Sequence, residues 1–279
     1  MGKKKKSKKS VALSNIKILK SGKIKFAKDE KLDLSNFIKE SVDDVIVSRL
    51  DAIISKEDVV IELDEMKRDL RTYLLSELDI AAMQSLTNSA VTPTIVIPVD
   101  KKDALDCFDF LDGGVIGSIL RTSTFASVYK KVKKQWKELC KKDNSHLTNV
   151  LYVPKVMVFL DELTGKIINS PFYINVLIVA TPPAKYMLEN PVTDIEDEDV
   201  IKRYVTDILN TSIKCGCKDI IINPYNAKVL EDDLSVTTET WLKHLSNQRC
   251  KENFNSISFS LEDQNLFIVF EAQLNNIKE

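Results

Sequence analysis

The chain has 279 residues, of which 44% are hydrophobic and 29% are charged, and its formal net charge is −1. This length and apolar content favour one large globular domain, and no apolar run reaches the ~18 residues that suggest a membrane-spanning helix. The five cysteines form an odd set, which predicts reduced thiols in the cytosol or nucleus and argues against a disulfide framework. The usage of Lys, Ile and Asn is typical of an AT-rich genome such as that of a large DNA virus or a parasite, and for a viral protein the compartment would be the virion or viral factory.

Basic residues are concentrated at the N-terminus. The first 25 residues contain ten lysines and no acidic residue, so the rest of the chain carries a formal charge of −11. Residues 1–10 lack the apolar content to fold and are predicted to form a flexible arm attached to an acidic body. A solubilising tail, an import signal and a contact with nucleic acid or an anionic surface all fit this arm. The lysines that would make such a contact are Lys3, Lys4, Lys5, Lys6, Lys8 and Lys9.

The segment that follows, residues 11–90, is predicted to be an N-terminal extension of hairpin and helical elements. Residues 16–20 and 23–26 alternate in polarity on either side of Ser21 and Gly22, a pattern typical of a β-hairpin. Helical spacing of apolar residues then predicts a helix over residues 34–54. A short strand is predicted over residues 59–63 and a second helix over residues 64–86.

From residue 91 onward the pattern alternates between strand and helix, which predicts an α/β core with a mixed, mainly parallel sheet and helices on both faces. Several strands are continuously apolar, as expected for a sheet that is covered on both sides. The predicted strands cover residues 94–99, 155–160, 172–180, 218–223, 256–260 and 266–270, and the predicted helices cover residues 118–141, 194–209 and 235–247.

A family resemblance rests on the stretch from Leu111 to Tyr129, LDGGVIGSILRTSTFASVY, and on the order of the motifs around it. The segment KSGKIKFAKDEKLDLSNFIKESV precedes it, and residues 152–159 and 179–184 supply a strand and a turn in the same order. This arrangement resembles the microbial-type poly(ADP-ribose) glycohydrolases, a branch of the macrodomain superfamily. The resemblance implies one macrodomain-like domain over residues 11–279, with its core in residues 91–279.

The resemblance also implies where an active site would lie. The family has a triple-glycine loop that holds a diphosphate through backbone N–H groups, and a Gln-Glu-Glu sequence whose glutamate acts as general acid and base. Matching residues 121–124 to the family's arginine and Ser/Thr run places Gln-Glu-Glu on Val115, Ile116 and Gly117. No catalytic residue is therefore expected. What remains is a vestigial ligand loop consisting of Gly113, Gly114, Arg121 and Ser123.

A second ligand loop of the family is replaced as well. Its glycine-rich sequence corresponds here to residues 223–229, in which Pro224 lacks a backbone N–H. Aspartates between residues 100 and 112 would repel a diphosphate. We therefore expect no cofactor and no small-molecule ligand. The alternative is an ADP-ribose-binding protein, or a glycohydrolase with a site rebuilt from Asp112, Arg121 or Lys228.

Other motifs give no alternative chemistry. The pair Cys215 and Cys217 has no second ligand pair, and the acidic run 194–199 reads as the first turn of a helix, so no metal site is expected. Trp136 and Trp241 are predicted to be packing residues. The sequence thus predicts a catalytically inactive macrodomain-like protein that acts as an interaction or structural component. Its partners would be proteins, together with nucleic acid or an anionic surface through residues 1–10.

Overall fold

A computed structural model of the chain describes residues 7–26, 31–52, 69–74, 92–100, 104, 108–110, 114–141, 147–181, 197–222, 234–245, 248–261, 267–268 and 270–273. The strands are β1 (Lys23–Lys25), β2 (Lys31–Asp33), β3 (Ile46–Arg49), β4 (Asp69–Leu74), β5 (Thr94–Asp100), β6 (Asn149–Leu160), β7 (Ile167–Thr181), β8 (Asp219–Ile222) and β9 (Ser256–Leu261). The helices are α1 (Lys8–Ser21), α2 (Leu34–Asp43), α3 (Gly114–Thr122), α4 (Phe125–Lys141), α5 (Asp197–Lys214), α6 (Leu234–Leu245) and α7 (Gln248–Asn253).

The main sheet has seven strands in the order β3-β6-β7-β5-β8-β9-β4, and β1 and β2 form a separate antiparallel pair. The pairs β7/β5, β5/β8, β8/β9 and β9/β4 are parallel, whereas β3/β6 and β6/β7 are antiparallel. The predicted mixed, mainly parallel α/β sheet is therefore confirmed. In the part of the chain that the structure describes, no helix combines the length and apolarity needed to cross a membrane.

Helices cover both faces of this sheet, because alternate residues of its strands enter different hydrophobic clusters. Val150 and Tyr152 of β6 pack with buried residues of α5 and α6, while Leu151 and Val153 pack with those of α3 and α4. The same alternation separates Val96 of β5 from its two neighbours. The continuously apolar strands follow directly from this two-sided burial.

The N-terminal region differs from the prediction. Helix α1 begins at Lys8, with the Ser7 side chain accepting a hydrogen bond from the Ser10 N–H (3.3 Å), so the predicted boundary of the arm at residue 10 lies inside a helix. Residues 16–20, predicted as the first hairpin strand, belong to the same helix. Gly22 ends α1 in a left-handed conformation (φ 66°) and donates its N–H to Ile18 O (3.1 Å). The Ser-Gly sequence is thus a helix C-cap, which shares its glycine preference with a tight turn.

A buried amide links helix α1 to the body. Asn15 is fully buried, and its Nδ2 donates to Leu120 O (2.7 Å) and Ser123 O (3.2 Å), the carbonyls at the C-terminal end of α3. Val11 and Ala12 of the same helix are also buried. Residues 8–21 are therefore part of the folded domain, and α1 packs against α3.

Other corrections concern the bounds and types of elements. The helix predicted over residues 34–54 ends at Asp43 and is followed by β3, while β4 occupies part of the segment 64–86 that was predicted to be helical. The helix predicted over residues 118–141 is two helices, α3 and α4, separated at Ser123 and Thr124. The strand predicted over residues 59–63 lies outside the described residues.

The last predicted strand, residues 266–270, is wrong. Residues 267–268 and 270–273 are helical. Phe270 is fully buried with its ring centroid 4.7 Å from that of Phe259, whereas Ile268 is 55% exposed. The edge of β9 that such a strand would have paired with is already occupied by β4. The apolar residues of this segment therefore pack against the sheet from a helix and do not add a strand to it.

Candidate functional site

The parallel strands define one edge of the sheet as the candidate site. Strands β5, β7 and β8 end at Asp100, Thr181 and Ile222, and helix α3 begins after β5 at Gly114. In open α/β sheets, ligands bind in the crevice outside the carboxyl ends of such strands. The first turn of α3 is therefore the part of the described chain where the resemblance places catalytic residues.

Gly114 starts this turn and is explained by its backbone conformation. Its φ of 64° lies in the left-handed region, which residues with a side chain adopt rarely. A Cβ added at Gly114 would have no atom within 4 Å, so the glycine is needed for the turn and not for close packing. Gly113, the other predicted glycine, lies outside the described residues.

The positions that follow Gly114 turn toward the core. Ile116 is 9% exposed and packs in the hydrophobic cluster of α3, α4 and the inner strands, and Gly117 is also buried. Val115 is half-buried and contacts the same cluster. The first turn of α3 contains no acidic residue. Its side chains contribute packing and supply no proton donor or acceptor.

Arg121, a predicted ligand residue, forms a buried ion pair. Its side chain is 1% exposed, and its Nε donates to Oε1 of Glu162 (3.0 Å). The Nη2 group contacts the same carboxylate, Nη1 donates to Phe110 O (2.7 Å), and the Ser118 hydroxyl donates to Oε2 of Glu162. The guanidinium thus connects α3 to the turn between β6 and β7.

The position of this ion pair separates Arg121 from the site. Arg121 lies seven residues after Gly114, which at 1.5 Å per residue is about 10 Å along the helix. Glu162 follows β6, which runs antiparallel to β7. The C-terminal end of β6 therefore lies beside the start of β7, at the edge of the sheet opposite to the carboxyl ends of the parallel strands. Arg121 is therefore engaged in the scaffold of α3.

Ser123, the fourth predicted ligand residue, also makes backbone contacts of the scaffold. It is fully buried, its hydroxyl donates to Ile119 O (2.6 Å), and its Oγ accepts from the Phe125 N–H (3.1 Å). Of the predicted ligand residues that the structure describes, Gly114 lies at the start of α3, whereas Arg121 lies in its last turn and Ser123 directly after it. Sequence reasoning missed Glu162, because nothing in its local sequence connects it to an arginine 41 residues earlier.

Two further buried or half-buried carboxylates have structural partners elsewhere. Asp207 of α5 accepts from the Thr148 hydroxyl (2.5 Å), and burial raises the pKa of its carboxyl, with the hydrogen bond and Arg203 opposing that rise. Asp207 lies with α5, on the face of the sheet opposite α3. Asp219 accepts from the Ser256 hydroxyl (2.6 Å) at the start of β8, the end of that strand away from the site. Neither carboxylate lies at the first turn of α3.

The basic residues are arranged differently from the prediction of a basic tail on an acidic body. Lys8 and Lys9 are exposed residues in the first turn of α1, whereas Lys3, Lys4, Lys5 and Lys6 lie outside the described residues. Helix α4 adds a second basic segment, with the lysines Lys130, Lys131, Lys133, Lys134, Lys137 and Lys141 and the single acid Glu138. Much of the basic character therefore belongs to two folded helices.

Metal and redox motifs remain without support among the described residues. No cluster of three His, Cys, Asp or Glu side chains that could hold a metal ion occurs in the described ranges. Cys140, Cys215, Cys217 and Cys250 are buried thiols. The ring of His244 contacts Thr206 Oγ1 (3.0 Å) and Thr240 O (2.8 Å), both within the packing of α5 and α6.

Comparisons with known proteins identify the fold. No protein-family profile and no curated protein sequence matches the chain. A poly(ADP-ribose) glycohydrolase from Thermomonospora curvata matches with a TM-score of 0.68 and 17% identity, over 97% of this chain and 98% of that one. The same enzyme bound to the inhibitor ADP-HPD matches with a TM-score of 0.68 and 15% identity, over 95% and 98% of the two chains.

A third solved structure agrees. The poly(ADP-ribose) glycohydrolase from Deinococcus radiodurans in complex with ADP-ribose matches with a TM-score of 0.59 and 14% identity, over 87% of this chain and 92% of that one. The chain therefore has the fold of the microbial poly(ADP-ribose) glycohydrolases over nearly its whole length. The resemblance inferred from the motifs is confirmed at the level of the fold.

Proposed function

We propose that this chain is a catalytically inactive macrodomain-like protein that works by binding, as an interaction or structural component. The observation that carries the proposal is the first turn of α3, where Val115, Ile116 and Gly117 stand in the positions that the resemblance assigns to Gln-Glu-Glu. Cleavage of a glycosidic bond needs a carboxyl group that moves a proton at the leaving oxygen. An alkyl side chain has no proton to transfer.

Two contacts support this reading. Ile116 is held in the core, so a small rotation of α3 would not bring it into a ligand site without exposing apolar surface. Arg121, which the alternative uses as a rebuilt ligand residue, is paired with Glu162 instead. The other two residues of that alternative, Asp112 and Lys228, lie outside the described residues.

The alternative function is an ADP-ribose-binding protein, and it is favoured by a specific observation. A solved neighbour of the same fold contains bound ADP-ribose, and another contains the inhibitor ADP-HPD. The start of α3 also offers backbone N–H groups with no acidic side chain among them. Binding without hydrolysis would retain part of the fold's ligand chemistry.

A paired measurement tests the proposal. We expect no release of ADP-ribose from poly(ADP-ribose) above the protein-free background, with the Thermomonospora curvata enzyme as the positive control. In a parallel thermal-shift titration we expect no stabilisation by ADP-ribose, since a ligand at 100 times its Kd would add about 2.7 kcal/mol to the free energy of unfolding. Release of ADP-ribose would refute the proposal. Stabilisation without release would assign the alternative function.

We further propose that the N-terminal lysines contact nucleic acid or an anionic surface. Lys8 and Lys9 occupy the first turn of α1, which contains no acidic residue, so their charges add to the positive end of the helix dipole. The two lysines and the positive helix end repel one another, and a bound anion would reduce that repulsion. The buried thiols of Cys140, Cys215, Cys217 and Cys250 support placing this activity in the cytosol or nucleus.

Deletion of residues 1–6 provides the test of this contact, because it leaves Ser7 in place as the cap of α1. We expect weaker binding to a single-stranded oligonucleotide, with a slope of log Kobs against log salt that is shallower by about 3, as loss of four phosphate contacts predicts. An unchanged slope would refute nucleic-acid contact by the arm. Vesicles with and without phosphatidylserine, compared in the same deletion, measure contact with an anionic surface.

A further inference from the structure

A groove separate from the α3 start lies between α1 and α4. Its volume is about 790 Å³, which is within the range of ligand pockets of about 300–1,000 Å³. The lining residues of α1 and α4 are joined at the bottom by Leu120 of α3 and by residues 108–110. The groove is therefore bounded by two helices along its length.

The floor of the groove is apolar. Ile16 and Leu19 of α1 line it together with Phe108 and Phe110, and Ile16 is half-buried and belongs to none of the hydrophobic clusters formed by the described residues. The ring of Phe108 packs against Tyr129, with 5.4 Å between their centroids. Tyr129 in turn stacks on Phe125, so these rings are packed within the protein and the floor offers apolar contact.

The rim of the groove is cationic. Among the described residues, Lys20 of α1 and Lys130, Lys133 and Lys137 of α4 line it, together with the acidic residue Asp109. The spacing of three and four residues places the α4 lysines on one face of the helix. None of the four lysines forms an ion pair with a carboxylate of the described residues. The rim therefore carries a concentration of positive charge beside an apolar floor.

We propose that this groove binds an acidic amphipathic helix of a partner protein. A helix with apolar residues on one side and carboxylates on its flanks would bury the floor and meet the lysines at the same time. This inference rests on the proposed binding role of the chain and names the class of partner. A nucleic-acid strand would contact the lysines, but its polar backbone would leave the apolar floor at Ile16 and Leu19 unburied.

The probe is a fluorescent peptide of about 18 residues, with Leu at helical i, i+3, i+4 and i+7 positions and Glu elsewhere, so that one apolar face extends over about 27 Å. We expect saturable binding by fluorescence anisotropy. A scrambled peptide of the same composition, polyglutamate, a single-stranded oligonucleotide of equal charge and phosphatidylserine vesicles are measured alongside. Each of these four probes lacks the combination of a helical apolar face and flanking carboxylates.

Variants with matched controls locate the binding. K133E/K137E reverses two rim charges, and K131E/K166E makes the same change in net charge at exposed lysines that do not line the groove. I16Q removes an apolar floor residue, and L163Q removes a 50% exposed leucine of the β6–β7 turn. We expect the Kd to rise about tenfold or more in K133E/K137E and in I16Q, and to change less than about threefold in the two controls.

Circular dichroism and the unfolding midpoint of each variant establish that it is folded before binding is compared. Absence of peptide binding would overturn the proposal. Equal or tighter binding of polyglutamate, the oligonucleotide or the vesicles, with no effect of I16Q, would show a surface that recognises charge alone, and this too would overturn it. Release of ADP-ribose in the hydrolysis assay would instead refute the proposed function, and that assay gives a separate result for every variant.

Discussion

Replacing Glu162 by glutamine is expected to lower the free energy of unfolding by about 3–5 kcal/mol, because it leaves the charge of Arg121 buried without a counter-ion. Arg121 is 1% exposed, whereas the Glu162 side chain is 28% exposed. Arg121→Met should therefore cost less, about 2–3 kcal/mol, since water can solvate part of the remaining carboxylate. Urea unfolding followed by circular dichroism measures both values.

The double variant R121M/E162Q completes the comparison. It removes both charges together, so we expect it to be more stable than the sum of the single changes predicts, with a coupling of about 1–3 kcal/mol. The exposed pair of Lys155 and Asp44, 3.3 Å apart and each 54% exposed, provides the control, and Lys155→Met should change stability by less than about 1 kcal/mol. Losses below about 1 kcal/mol for both Arg121→Met and Glu162→Gln would contradict a buried ion pair and return Arg121 to the set of ligand residues.

Trp136→Ala is expected to destabilise the fold by about 3–5 kcal/mol. Trp136 is fully buried in α4, within the cluster that joins α3 and α4 to the sheet, and alanine would leave a large cavity there. This position confirms the sequence-based interpretation of Trp136 as a packing residue. The loss is measured as a decrease in the urea midpoint with an unchanged slope.

Trp136→Phe is the matched control, because it keeps an aromatic ring in the same place. The Nε1 of Trp136 is buried and has no hydrogen-bond partner among the residues that the structure describes, so its removal offsets part of the lost packing. We expect a loss of less than half of that caused by alanine. If phenylalanine and alanine cost the same, the indole N–H must have a partner and the cavity argument would be wrong.

The central sheet could be predicted from the sequence because strands that are buried on both faces are continuously apolar. Strands β5 and β8 are short apolar runs, and each lies within about one residue of its predicted bounds. Apolar character alone did not distinguish strand from helix near the C-terminus. Residues 266–270 have the same apolar character, yet the free edge of β9 is taken by β4, and only the complete set of pairings determines that.

Helix α1 shows a second limit, which is the ambiguity of glycine. A Ser-Gly pair between apolar runs suits a hairpin turn and a helix C-cap equally well. Contacts distant in sequence decide between them here, above all the hydrogen bonds from Asn15 to Leu120 and Ser123, more than 100 residues away. The candidate site shows the same limit. Residues 115–117 could be matched to the family's Gln-Glu-Glu from the sequence, whereas the ion-pair partner of Arg121, Glu162, could not be found there.

The two basic helices make the charge distribution of the molecule asymmetric. Together α1 and α4 contain ten lysines and one glutamate, a formal charge of +9, so against a total of −1 the rest of the chain carries −10. Net charge therefore understates the field around this protein. An approaching polyanion would be turned toward α1 and α4 before contact, and the opposing charges would make encounter rates fall steeply as salt is added.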